Sequence, residues 1–228
     1  MTALSIAAAI VAIVLLASAG WLILNRRPRG DRPELVEILE LEDSTSIDPA
    51  TGAVRSVQEA DIRIAQSALA EIWTPAHLER LARTYWRFLT RVTLGLIRVH
   101  YTEGERSVVL LGSPLRLLTF QAPEYEMDLT RGLVRWRIER GLLVSRRGRN
   151  GQGYLQIEVH RQDDEDPTQA RLHVEVEVAN FYPSIASRLG QRLYNETQSR
   201  IHVIVTYGFL RSLARLDLAQ SRVGRLAP

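Results

Sequence analysis

Five histidines (His77, His100, His160, His173 and His202) are the side chains in this sequence best suited to proton transfer or metal ligation near neutral pH. Their spacing contains no HExxH or comparable metal-binding pattern. His160 and His173 fall on two consecutive alternating segments with Glu158 and Glu175 beside them. Imidazoles and carboxylates together are competent metal ligands. The same residues also make an ordinary ladder of cross-strand polar pairs on a wet sheet face, and that reading is preferred, so no metal and no cofactor are expected. No G-x-S-x-G elbow, no Ser/His/Asp set and no glycine-rich phosphate loop is present. No catalytic residue is assigned, and a non-catalytic role is expected.

Composition narrows the chemistry further. The 228 residues include no cysteine, which excludes disulfides, thiolate nucleophiles and thiolate-held metals. All 29 basic residues are arginine, so Schiff-base chemistry and a P-loop lysine are excluded too. The net charge is only +3, and no nucleic-acid-binding motif accompanies the arginines, so nucleic acid is not expected as a partner.

The elements that position these residues begin with a membrane span. Met1 to Asn25 carries no charged side chain, and Ala3–Leu24 is almost wholly apolar. As a helix this run is ~33 Å long, matching the hydrocarbon core of a bilayer. Arg26, Arg27, Arg29 and Arg32 follow at once, which places the C-terminal side in the cytoplasm by the positive-inside rule. The expected protein is a single-pass plasma-membrane protein with the lipid bilayer as one partner. Residues 26–53, with three prolines and an acidic stretch, read as a juxtamembrane linker in which only Leu35–Leu41 is a candidate strand. A domain is expected over 54–218 and a loose tail over 219–228.

Within that domain, Val57–Ile72 reads as a first helix. Thr74-Pro75 caps a second, whose apolar face includes Leu78, Leu81, Tyr85 and Phe88. From about Val92 the period changes to two, with candidate strands at Val92–Tyr101, Arg106–Leu111, Leu115–Gln121, Leu133–Val144, Gly153–Arg161 and Arg171–Ala179. Short connections between them predict an antiparallel meander. The last three strands alternate most cleanly. Val134, Trp136 and Ile138 share one face, as do Leu155, Ile157 and Val159, and Leu172, Val174 and Val176. The opposite faces are charged. A long helix, Ser184–Leu216, closes the domain with apolar residues spaced by about four.

Helices, then a meander, then a long C-terminal helix: this order resembles the START/Bet v1-like superfamily, the SRPBCC or polyketide-cyclase type with its helix-grip fold. The residues that carry the resemblance are Gly132–Ile138, the strand pair Tyr154–His160 and Leu172–Val178, and the helix Ser184–Leu216. It implies an α+β fold in which the sheet wraps the C-terminal helix around an apolar cavity that binds lipids or other hydrophobic ligands. An NTF2-like cone is the alternative fold. The cavity so implied would be lined by Val134, Trp136 and Ile138 from the sheet and by His202, Val205, Thr206, Tyr207 and Phe209 from the helix. A hydrophobic small molecule or lipid is the expected partner; a tethered scaffold with a filled core is the competing expectation. Arg146, Arg147 and Arg149 lead into one strand, and Asp163–Asp166 lead out of it, roughly 30 Å away. With Arg26, Arg27 and Arg29, the first cluster is the candidate surface for anionic headgroups.

Overall fold

The structure, a computed structural model, describes residues 36–111, 115–149, 152–183 and 209. Among these, nine strands form one antiparallel sheet. They are β1 (Val36–Ile47), β2 (Val54–Ala65), β3 (Ile97–Tyr101), β4 (Glu105–Leu110), β5 (Arg116–Gln121), β6 (Glu124–Met127), β7 (Arg131–Arg140), β8 (Tyr154–Asp163) and β9 (Gln169–Phe181). Two helices, α1 (Gln66–Ile72) and α2 (Pro75–Val92), lie between β2 and β3. The strand order is β1-β2-β9-β8-β7-β5-β4-β3, and β6 pairs with the part of β7 that β5 leaves free. The meander predicted from the sequence therefore runs from β3 to β9. Its last strand then pairs with β2, which precedes both helices.

The sequence expectation of a helix over Val57–Ile72 is corrected here. Val54–Ala65 is a strand, and only Gln66–Ile72 is helical. The inward positions of β2 are Ser56, Gln58, Ala60, Ile62 and Ile64, all buried. Three of those five are small or polar, so the strand shows little hydrophobic alternation even though its burial alternates from Gln58 onward. Residues Val36–Ile47, within the stretch read as linker, form β1 as the outer half of a hairpin with β2. Two further boundaries move. Helix α2 persists to Val92 and stops through Leu94 and Gly95, both at positive φ, with the Gly95 N–H on the Thr90 carbonyl at 2.8 Å. Strand β7 stops at Arg140, because Gly141 takes φ +146 directly over the Leu117 carbonyl.

Other local signals hold. Thr74 caps α2, its Oγ1 accepting from the His77 backbone N–H, and Pro75 occupies the first helical position. In β8 and β9, Leu155 pairs with Val178, Ile157 with Val176 and Val159 with Val174, so one face is continuously apolar. The core lies between that face and α2, which contributes Leu78, Leu81, Tyr85 and Trp86. No helix among the described residues is long and apolar enough to cross a membrane. The expected span over 1–25 lies outside the described residues. So does Ser184–Leu216, apart from Phe209, which is helical and fully buried.

Candidate functional site

Alternation on β7 aims Val134, Trp136 and Ile138 inward, and each is essentially without solvent contact. They share the interior with Phe209, so four of the sequence-predicted cavity residues belong to one apolar cluster. His202, Val205, Thr206 and Tyr207 lie outside the described residues. The aromatic part of the cluster is continuous. Trp86 of α2 meets Trp136 edge-on at 5.2 Å and tilts against Phe120 at 5.2 Å. Its neighbour Tyr85 meets Phe209 edge-on at 5.8 Å. These are favourable edge-to-face distances.

Among the described residues, two buried polar atoms have no hydrogen-bond partner: Gln58 Oε1 and Trp86 Nε1. Gln58 comes from the inward face of β2, opposite Val176 of β9. Its Nε2 donates to Ser56 Oγ at 3.0 Å, and Ser56 Oγ shares a proton with Thr45 Oγ1 at 2.9 Å. The amide oxygen at the inner end of this chain is left over. Leaving one acceptor and one donor unmet costs about 1–3 kcal/mol each, and such groups are rare in folded proteins. A hydroxyl can meet either atom, whereas a carbonyl can meet only the Trp86 N–H. Neither residue was singled out by sequence, because β2 read as a helix and Trp86 falls outside the apolar face read for α2.

The outer face is polar, as predicted, and tightly cross-linked. Arg135 donates to Gln156 Oε1 at 2.8 and 2.6 Å, Arg137 pairs with Glu124 at 2.7 Å, and Arg131 pairs with Glu158. Glu177 is buried, yet receives Arg55 at 2.7 Å and the Tyr154 hydroxyl at 2.9 Å. His160 sits on Glu158 at 2.8 Å, and His173 on Asp61 at 2.8 Å. Burial works against the Glu158 carboxylate, but Arg131 and His160 outweigh it and hold its pKa low. Glu175 is pushed up, first by burial and then by the charges of Glu177, Glu59 and Glu158. His77, in the first turn of α2, is pushed down by burial and by Arg80. His100 is exposed on β3.

The two charge clusters at the ends of β8 differ. Arg146, Arg147 and Arg149 are exposed around a single 3-10 turn, Arg146–Gly148. Arg147 also donates to the Thr51 carbonyl in the β1–β2 turn at 3.2 Å and stacks over Tyr182. At the other end, Asp164 is clasped by Arg63 and Arg171 at 3.0 and 2.9 Å.

No protein-family model matches the chain, and no curated protein matches it. Among solved structures it is similar to the STAR-related lipid transfer protein of Xanthomonas axonopodis, at 14% identity and a TM-score of 0.36, over 76% of this chain and 98% of that one. It is also similar to human StAR-related lipid transfer protein 5, at 10% identity and a TM-score of 0.31, over 91% and 98% of the two chains. CalU16 from Micromonospora echinospora aligns at 13% identity with a TM-score of 0.24, over 77% and 89%.

Proposed function

We propose that this chain is a membrane-anchored, non-catalytic domain that holds a lipid-like ligand between the inner face of its sheet and the helices that cover it. The observation that carries the reading is a pair of buried polar atoms with no partner among the described residues, Gln58 Oε1 and Trp86 Nε1, in a largely apolar interior. An apolar site with a few convergent polar groups is the usual form of a small-molecule pocket. The reading agrees with what the START/Bet v1-like resemblance implies. In it, the apolar run Ala3–Leu24 is the anchor and Ser184–Leu216 is the gripped helix. Arg26, Arg27 and Arg29, together with Arg146, Arg147 and Arg149, face anionic headgroups on the cytoplasmic side.

One observation favours a tethered scaffold with a filled core instead. The aromatic contacts from Phe120 through Trp86 to Trp136, and from Tyr85 to Phe209, are already close. Native mass spectrometry of the detergent-purified full chain separates the two. Ligand binding predicts a retained lipid mass that Gln58→Leu weakens. A chain that carries no adduct and takes up no apolar fluorescent probe after delipidation is the scaffold.

A further inference from the structure

The register of the sheet lines up four glutamates across four neighbouring strands. Glu42 of β1 faces Glu59 of β2, Glu59 faces Glu175 of β9, and Glu175 faces Glu158 of β8. Like charges directly opposite one another destabilise a sheet. The row is answered at one end, where Arg131 and His160 hold Glu158. Beside it, Arg55 and Tyr154 hold Glu177. Among the described residues, no arginine forms an ion pair with Glu59 or Glu175.

What adjoins these two carboxylates is His173. Its ring, with Glu59 and Glu175, brings one ligand atom from each residue to within 4.8 Å of the others. Ligand atoms around one ion with bonds of about 2.0–2.2 Å stand roughly 3–4 Å apart, so small side-chain rotations close the set. A separate contact orients the ring. His173 Nδ1–H donates to Asp61 Oδ1 at 2.8 Å, and Asp61 is not one of the three. A carboxylate behind the imidazole is the usual outer support of a metal-binding histidine. It leaves Nε2 as the nitrogen with a free lone pair. All three residues are half-buried, so coordination positions remain open to water.

We propose that Glu59, His173 and Glu175 form a site for a divalent transition-metal ion on the outer face of the sheet, with Asp61 orienting the histidine. Two carboxylates and one imidazole suit ions such as Zn2+ or Mn2+. The site is on the face opposite the proposed ligand cavity and stands or falls independently of it. His160 is excluded from the set, because Glu158 already engages its Nε2.

The test uses the tag-free full chain in detergent, stripped with chelator and titrated with ZnCl2 by calorimetry, alongside thermal melts. The expected result is one zinc per chain and a zinc-dependent rise in Tm. His173→Ala and Glu175→Gln each weaken zinc binding at least ~10-fold, and Asp61→Asn weakens it about 10–100-fold. Glu175→Gln also removes a like charge from the row, so its zinc-free Tm equals or exceeds that of the wild type; lost zinc binding then cannot be blamed on misfolding. His160→Ala binds zinc as the wild type does. Absence of zinc binding, equal binding by His173→Ala and Glu175→Gln, or a loss in His160→Ala as large as in His173→Ala would each overturn the site.

Discussion

Asp164, in the β8–β9 turn, accepts from the Asp166 backbone N–H and from both Arg171 and Arg63, and these hold its carboxyl down to about 2 from an ordinary 3.8. A carboxyl with a depressed folded pKa adds stability that is complete above about pH 5 and is lost as pH falls through the interval down to about 2. Wild type should therefore melt above Asp164→Asn at neutral pH, and the two melting curves should converge near pH 2; a gap unchanged from pH 7 to pH 2 contradicts this account. Arg63 also reaches Glu37 at 3.6 Å, so the same clasp fastens β1 to the rest of the sheet. Gln58 poses the opposite case: its amide oxygen has no partner among the described residues. Gln58→Leu relieves a desolvation penalty of about 1–3 kcal/mol. The delipidated variant should melt no lower than the wild type while retaining less lipid. Lower Tm with unchanged retention would remove Gln58 from the ligand's contacts.

Gly141 governs where β7 ends. Its φ of +146 belongs to glycine, and a Cβ built there would stand 2.2 Å from the Leu117 carbonyl oxygen. Gly141→Ala should cost about 2–3 kcal/mol, read as a lower midpoint in urea with an unchanged slope. Strands β7, β8 and β9 were legible from sequence because their inner residues are uniformly large and apolar, from Val134 through Ile157 to Val176. Helix α2 was legible because Thr74-Pro75 and the Leu78–Phe88 face signal start and side together. Strand β2 was not. Ser56, Gln58 and Ala60 put small or polar side chains at inward positions, and Val57 is buried on the opposite face of the sheet, so no period of two stands out. That one misreading hid Gln58 from the cavity and Glu59 from the outer carboxylate row. It also hid the partner of β9, since sequence order gives no hint that residues 54–65 pair with residues 169–181.

At the scale of the whole molecule, Phe209 is the described point where the C-terminal part of the chain enters the core, 5.8 Å from Tyr85. Burial is complete, so Phe209→Ala should destabilise the fold by about 3–5 kcal/mol. The loss should also change the emission of Trp86, one ring removed through Tyr85 at 5.3 Å. A variant with wild-type stability would show that the C-terminal segment contributes little to the interior. The sheet places its two surfaces under different demands: the inner face excludes water around aromatic rings, and the outer face is held by arginine–carboxylate links. The β2–β9 ladder joins stretches separated by roughly a hundred residues. During synthesis at about 5–20 residues per second, β2 leaves the ribosome some 5–20 seconds before its central neighbour exists. Through that interval the β1 hairpin covers one of its two edges. The other stays open, so a nascent chain stalled before residue 169 presents an unpaired edge that a holdase or a second nascent copy can capture.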